Sequence, residues 1–415
     1  MMKKILAAAI VSAFAAPAFA ATANVDIYGV FAPSVDYVDG GSGTAGDGIT
    51  SKDSESRSRV SANVSYIGFK GAEDLGGGLS AVWQFESQIG FNDFAANSPG
   101  QSAAQVGGLF GARESFAGLS SKSLGSVTFG LRDTALKLAT GKLDVFGGGH
   151  TLADYRTLIG GVSNGSIRAN NSVTYISPSF GGLVFRGTTA ALQEEGSTRD
   201  PHLYSLSGTY ENGPLFVTLA HEDMKFAGTG AMFGAGGYTI TNVGATGSET
   251  EQKNTRLGAG YTMGNFKLGA VWERTKVDVS RLGTATLTAA GPAGSVTGLT
   301  SASTDRDAWY LSGAYKMGNT TLKAAYTRAG ELEGVNDSGA QQLSAGVDYS
   351  LSKRTTVYGL FTQVRNDSNA TYSLGGAPTN TGTFQSGGGV GAHGVAAAEA
   401  GQDPRGISVG MIHRF

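Results

Sequence analysis

The fold class predicted for this 415-residue chain is all-β, a sixteen-stranded antiparallel transmembrane β-barrel, and three observations predict it. Apolar and polar residues alternate with a period of two along most of the chain, no stretch beyond residue 20 is apolar enough for a membrane helix, and tight turns interleave with long polar connections. Composition agrees. There are 65 Gly, and Lys, Arg, Asp and Glu make up only 15% of the chain, too few charges for an ordinary soluble surface. With no Cys and 5 His, a Cys-ligated metal centre, a structural disulfide and thiol catalysis are excluded, and neither a metal nor a cofactor is expected. A net charge of −2 lacks the basic stripe that nucleic acid requires.

The first element is an export signal over residues 1–20. Lys3 and Lys4 precede a small apolar run, and Ala18, Phe19 and Ala20 form an A-x-A cleavage site. Its loss takes the net charge from −2 to −4 and leaves residues 21–415 as a single barrel domain. The strands follow. Val25, Ile27 and Phe31 share one parity against Asp26, Tyr28, Val30 and Ala32; Leu79, Ala81, Trp83 and Phe85 oppose Ser80, Val82, Gln84 and Glu86. The period continues with Leu183 and Phe185 against Arg186 and Thr188, Leu257 and Tyr261 against Arg256, and Leu343 and Val347 against Gln342 and Ser344. In the second strand Ser61, Asn63 and Ser65 share parity with Ile67 and Phe69, so a β-bulge near Ser65 and Tyr66 is expected.

Seven tight turns lie at 73–78, 120–125, 177–182, 211–213, 263–265, 317–319 and 350–353. Eight long connections span about 39–57, 90–110, 133–167, 192–200, 223–252, 278–304, 330–338 and 367–404. Fifteen connections join sixteen strands, an even number with both termini on the short-turn side. Tyr28, Trp83, Tyr175, Tyr210, Tyr261, Trp272, Trp309, Tyr315 and Tyr326 are candidates for interfacial girdles. The last strand, residues 405–415, ends on Phe415.

The chain resembles the general porins of Gram-negative bacteria, in the branch found in Neisseria, Bordetella, Burkholderia and Comamonas relatives. The resembling segments include Val25-Asp26-Ile27-Tyr28-Gly29-Val30, the run from Gly68 to Leu79, Gln84-Phe85-Glu86 and Arg113 through Leu119. Gly125 to Gly130, Arg168 to Tyr175, Ser352-Lys353-Arg354-Thr355 and the ending Val409 to Phe415 complete the match. The resemblance implies a trimer of barrels in the outer membrane, with passive diffusion of ions and small hydrophilic solutes through a pore narrowed by an inward-folded loop 3. Trimer contacts would come from the first and last strands, with the second loop reaching over a neighbour. The partners implied are two further copies, outer-membrane lipid and lipopolysaccharide, and the assembly machinery that recognises the last strand, with Phe415 as its signal. Tyr66, Leu131, Thr174 and Ile412 stand where relatives often carry arginine, so any anion preference is expected to be weak.

Selectivity in a water-filled pore needs fixed charge on a narrow wall. The third long loop carries Asp144 and Asp154 and follows Asp133; the candidates on the wall facing it are Lys70, Arg113, Arg132 and Arg168, with Glu86 inward beside Gln84. Outward Val127 and Phe129 place Arg132 in the lumen, and Arg168 shares parity with inward Ser172 and Thr174. Two other readings share the fold: an adhesin or receptor acting through the long loops, and a barrel enzyme. The enzyme needs a nucleophile and base held together, and no His is matched with a persuasive Ser.

Overall fold

The computed structural model describes residues 24–40, 56–89, 113–147, 149–159, 167–191, 201–227, 238–241, 249–289, 295–370, 372, 374–375, 380–381, 384–386 and 401–415. The expected signal, residues 1–20, lies outside the described residues, as do parts of the long connections.

Sixteen strands form the wall. They are β1 (Asn24–Phe31 continued by Ser34–Asp39), β2 (Arg57–Ser61 continued by Ser65–Gly76), β3 (Leu79–Ile89), β4 (Ser115–Ser121), β5 (Gly125–Asp133) and β6 (Ile167–Ile176). Then come β7 (Leu183–Ala191), β8 (His202–Asn212), β9 (Leu215–Ala227), β10 (Glu249–Met263), β11 (Phe266–Ala289) and β12 (Ser295–Met317). The wall is completed by β13 (Thr320–Ala329), β14 (Ala340–Ser350), β15 (Thr355–Asn366) and β16 (Arg405–Arg414). Each strand pairs antiparallel with the next, and β16 pairs both with β15, through Thr355↔His413 to Gln363↔Arg405, and with β1, through Val30↔Arg414 and Asp39↔Arg405. The ring is therefore closed, and no strand edge is left to be satisfied by lipid.

Burial is inverted relative to a water-soluble protein. On the outer face Val35 and Ile27 are each 60% exposed and Leu206 62%, whereas the inward Asp36 and Glu273 are 0% exposed. An exposed apolar belt around a polar interior is stable in hydrocarbon, where each such side chain gains roughly 1.5–3 kcal/mol over water. No helix among the described residues is long and apolar enough to cross a membrane.

Three expectations need adjustment. The connections expected at 223–252 and 278–304 are partly strand: β9 runs to Ala227, β10 begins at Glu249, β11 continues to Ala289 and β12 starts at Ser295. Polar β-branched residues sustain the ladder beyond the apolar belt, because backbone pairing does not need an apolar face. The irregularity in β2 lies at 62–64, just before the expected Ser65 and Tyr66, with Asn63 at φ 46°. Tyr28, offered as a girdle residue, points into the lumen and donates its hydroxyl to Glu86 Oε1 at 2.8 Å. Its parity with Asp26 and Val30 outweighs its aromatic character.

Candidate functional site

After Asp133 the chain turns away from the wall. Thr134 caps a single helical turn, α1 (Ala135–Ala139), by accepting from the Lys137 N–H at 3.4 Å. A 3-10 turn follows at Gly141–Leu143 and another at Tyr155–Thr157, the latter capped by Asp154.

Side chains of the lumenal parity tie this segment to the wall. Ser205 of β8 accepts the Leu136 N–H at 3.0 Å, and Ser312 of β12 donates to the Leu143 carbonyl at 2.8 Å. Arg256 of β10 donates to the Leu136 carbonyl at 3.3 Å while its guanidinium is held by Glu273 at 2.5 Å, both groups fully buried. Arg306 of β12 donates to the Leu158 carbonyl at 3.1 Å. Gly260 on β10 makes room for the segment, since a Cβ there would meet Leu143 at 2.6 Å. Leu143, Phe146, Leu152, Tyr155, Leu158 and Ile159 then join Tyr310, Tyr358, Leu360, Tyr372 and Ile412 in an apolar core inside the ring. Burial of that core, which includes Val30, Ala32 and Val38 of β1, holds the segment inside the ring, and a gap remains between it and the wall opposite, where β5 and β6 carry Asp133 and Arg168.

On that opposite wall the basic candidates converge. Arg113 pairs with Glu86 at 3.1 Å, Arg168 with Asp133 at 2.7 Å, and Arg132 with Glu114 at 3.2 Å. From the inserted segment, Lys137 reaches Asp133 at 2.6 Å and Arg156 clasps Asp154 at 2.6 Å. A cavity of about 180 Å³ lies between the two sides, lined by Arg113, Asp133, Lys137, Asp144, Arg156 and Arg168 among others. Asp144 accepts from the Phe146 N–H at 2.8 Å and from the Tyr310 hydroxyl at 3.3 Å.

Three of the wall cations also rest on aromatic rings: Arg132 on Phe116 at 3.7 Å, Arg113 on Tyr66 at 4.5 Å and Lys70 on Tyr28 at 5.1 Å. Stacking and ion pairing together fix the guanidinium planes, so their charge is presented from a set position. Burial, with Arg168 next, pushes the Lys137 ammonium down to about 7 despite its pairing with Asp133. His150 is pushed down to about 3 by burial and then by Arg113, and is neutral at physiological pH.

Of the expected residues, Arg113, Asp133, Asp144 and Arg168 line one cavity, and Glu86 and Arg132 adjoin it through their pairs. Asp154 is 3% exposed and turned to Arg156, and Lys70 stands exposed on the lumenal face beside Tyr28. Sequence reasoning missed Glu114, which holds Arg132 and also accepts the Asp133 N–H. Alternation would send Glu114 to the side opposite Arg113, but β4 begins only at Ser115, so parity does not apply there. Among the described residues no group of three or more His, Cys, Asp or Glu is placed to hold a metal ion.

Comparison with known proteins agrees with the barrel fold. The chain is 28% identical to outer membrane porin protein 32 of Delftia acidovorans over the whole of both chains. It is 34% identical to an outer membrane porin protein of Bordetella pertussis over 54% of this chain and 60% of that one. Among solved structures, the anion-selective porin from Comamonas acidovorans superposes with a TM-score of 0.65 at 23% identity, over 95% of this chain and 100% of that chain. A family model described as Gram-negative porin matches residues 7–369. A closed barrel with an apolar belt outside, charged groups across a water-accessible gap inside and this family match make the chain a member of the Gram-negative porin family, a diffusion channel of the outer membrane.

Proposed function

We propose that this porin favours anions mildly and that its constriction is the gap between the wall of Arg113, Arg132 and Arg168 and the inserted segment bearing Asp144 and Asp154. The observation that carries the reading is the balance of charge at the gap. With Lys137 protonated, five cations, Arg113, Arg132, Lys137, Arg156 and Arg168, meet five carboxylates, Glu86, Glu114, Asp133, Asp144 and Asp154. Such a ring makes a field across the pore and only a small one along it. Lys70 tips the balance: it is exposed on the lumenal face and makes no ion pair among the described residues. The surplus is positive and small, in keeping with a weak preference that salt screens.

The same reading takes residues 1–20 as a cleaved signal and residues 21–415 as one channel domain, assembled as a homotrimer that inserts through the assembly machinery and meets lipopolysaccharide outside. It assigns no enzymatic activity. Reversal potential in a planar bilayer tests it. Arg113→Ala combined with Arg132→Ala is expected to move the zero-current potential toward cations at low ionic strength while the barrel still assembles. An unchanged potential in an assembled double variant would remove these side chains from the constriction.

A further inference from the structure

We propose that the interruption of β2 at 62–64 is a clasp for the tip of the inserted segment, fixing the open cross-section of the pore and positioning Arg113. In an unbroken strand the amide of Val64 belongs to the ladder; here it donates to the Gly149 carbonyl at 3.2 Å. The chain is turned for this by Asn63, whose φ of 46° is a left-handed conformation that costs most L-residues and that Asn, with its short polar side chain, tolerates where local hydrogen bonds support it.

The surroundings do hold it. Asn63 is fully buried, and its Nδ2 donates to the Ala32 carbonyl at 2.7 Å and to Ser34 Oγ at 3.0 Å. Ser65 Oγ donates to the Ala62 carbonyl at 2.5 Å and accepts the Ala32 N–H at 2.9 Å. The β2 break is thus stitched to the break in β1 at Ala32 and Pro33, and the pair forms one rigid notch in the wall.

The tip fits that notch closely. Gly149 has φ 95°, and a Cβ on it would lie 2.6 Å from Arg156 Nη2 and 2.9 Å from Val64 Cγ2. The next residue, His150, stacks on Tyr66 with ring centroids 6.5 Å apart, and the Arg113 guanidinium lies over the same ring at 4.5 Å, with Tyr28 edge-on to it at 6.3 Å. Notch, tip and selectivity arginine are one chain of contacts. A buried irregularity with compensating bonds at the place where the wall meets the gap is where a functional bulge belongs.

The chain has no Cys, which makes a covalent test clean. Val64→Cys with Gly149→Cys puts two thiols where the clasp closes. Reduced, this variant is expected to conduct more than the wild type, as is Gly149→Val, because a Cβ at position 149 crowds the notch; oxidised, with the bond holding the tip to the wall, it is expected to conduct less than when reduced. The expected rise is roughly 1.5-fold or more, with a smaller anion preference because Arg113 loses its support. Equal conductance of the oxidised and reduced forms, or a Gly149→Val barrel that conducts and selects as the wild type does, overturns the clasp. The proposal rests on the pore reading above, and the outcomes separate: a wild-type barrel that carries no current defeats that reading, whereas a conducting wild type with indifferent variants defeats only the clasp.

Discussion

At the scale of single residues, the gap is governed by pairs in which one partner sets the strength of the other. Glu114 neutralises and orients Arg132, so Glu114→Gln should free a positive charge and strengthen the anion preference. A reversal potential that moves toward cations in that variant would contradict the assignment. Lys137 adds a titration. Its ammonium is pushed down to about 7, so it is charged below that pH and neutral above. The gap therefore loses one positive charge as pH rises from 6 to about 8.5, and anion preference is expected to fall over that window. Lys137→Met should flatten the dependence; a wild-type reversal potential that is level across the window would count against it.

At the scale of elements, the inserted segment is kept in place less by its own helix, a single turn over Ala135–Ala139, than by the wall behind it. Arg256 is the main polar anchor, and its charge is tolerated in that dry position because Glu273 lies 2.5 Å away. Arg256→Ala removes its hydrogen bonds to the Leu136 carbonyl and to Thr140 Oγ1, the latter at 3.4 Å, and leaves Glu273 buried without its partner. A loss of about 3–5 kcal/mol is expected, read as a lowered temperature for heat-induced loss of β-sheet circular dichroism. Replacing both residues, Arg256→Met with Glu273→Gln, should cost less, because no charge is then stranded. If the single and double variants melt together, the pair does not carry the anchoring assigned to it.

At the scale of the whole molecule, stability comes from closure, and closure ends on the last residue. Phe415 donates its N–H to the Gly29 carbonyl at 3.2 Å and accepts the Gly29 N–H at 3.1 Å, joining the C-terminus to β1. Removing Phe415 deletes both bonds and unpairs the seam at the short-turn end, so less barrel is expected in outer-membrane fractions. Undiminished heat-modifiable barrel in the deletion strain would show that the seam closes without it.

What the sequence alone determined is the wall. Two-residue alternation decides which side chains face lipid, and the spacing of turns decides the strand count, because both are local properties of a pleated ladder. Ile27, Leu257 and Arg256 were assigned to their faces from parity alone, and the third long loop was bounded between Asp133 and Ile167. The gap was legible in most of its members, including Arg113 and Asp144 outside the strands. Arg132 and Glu86 followed from alternation, whereas Glu114 lies just outside a strand and Tyr28 was misread by residue type. Tertiary structure alone decided the rest: which carboxylate faces which arginine, that Asp154 is spent on Arg156, and that a left-handed Asn63 receives Gly149 from 86 residues away. Those contacts join residues distant in sequence through irregular backbone, where neither parity nor spacing carries information, and only the closed ring brings them within reach of one another.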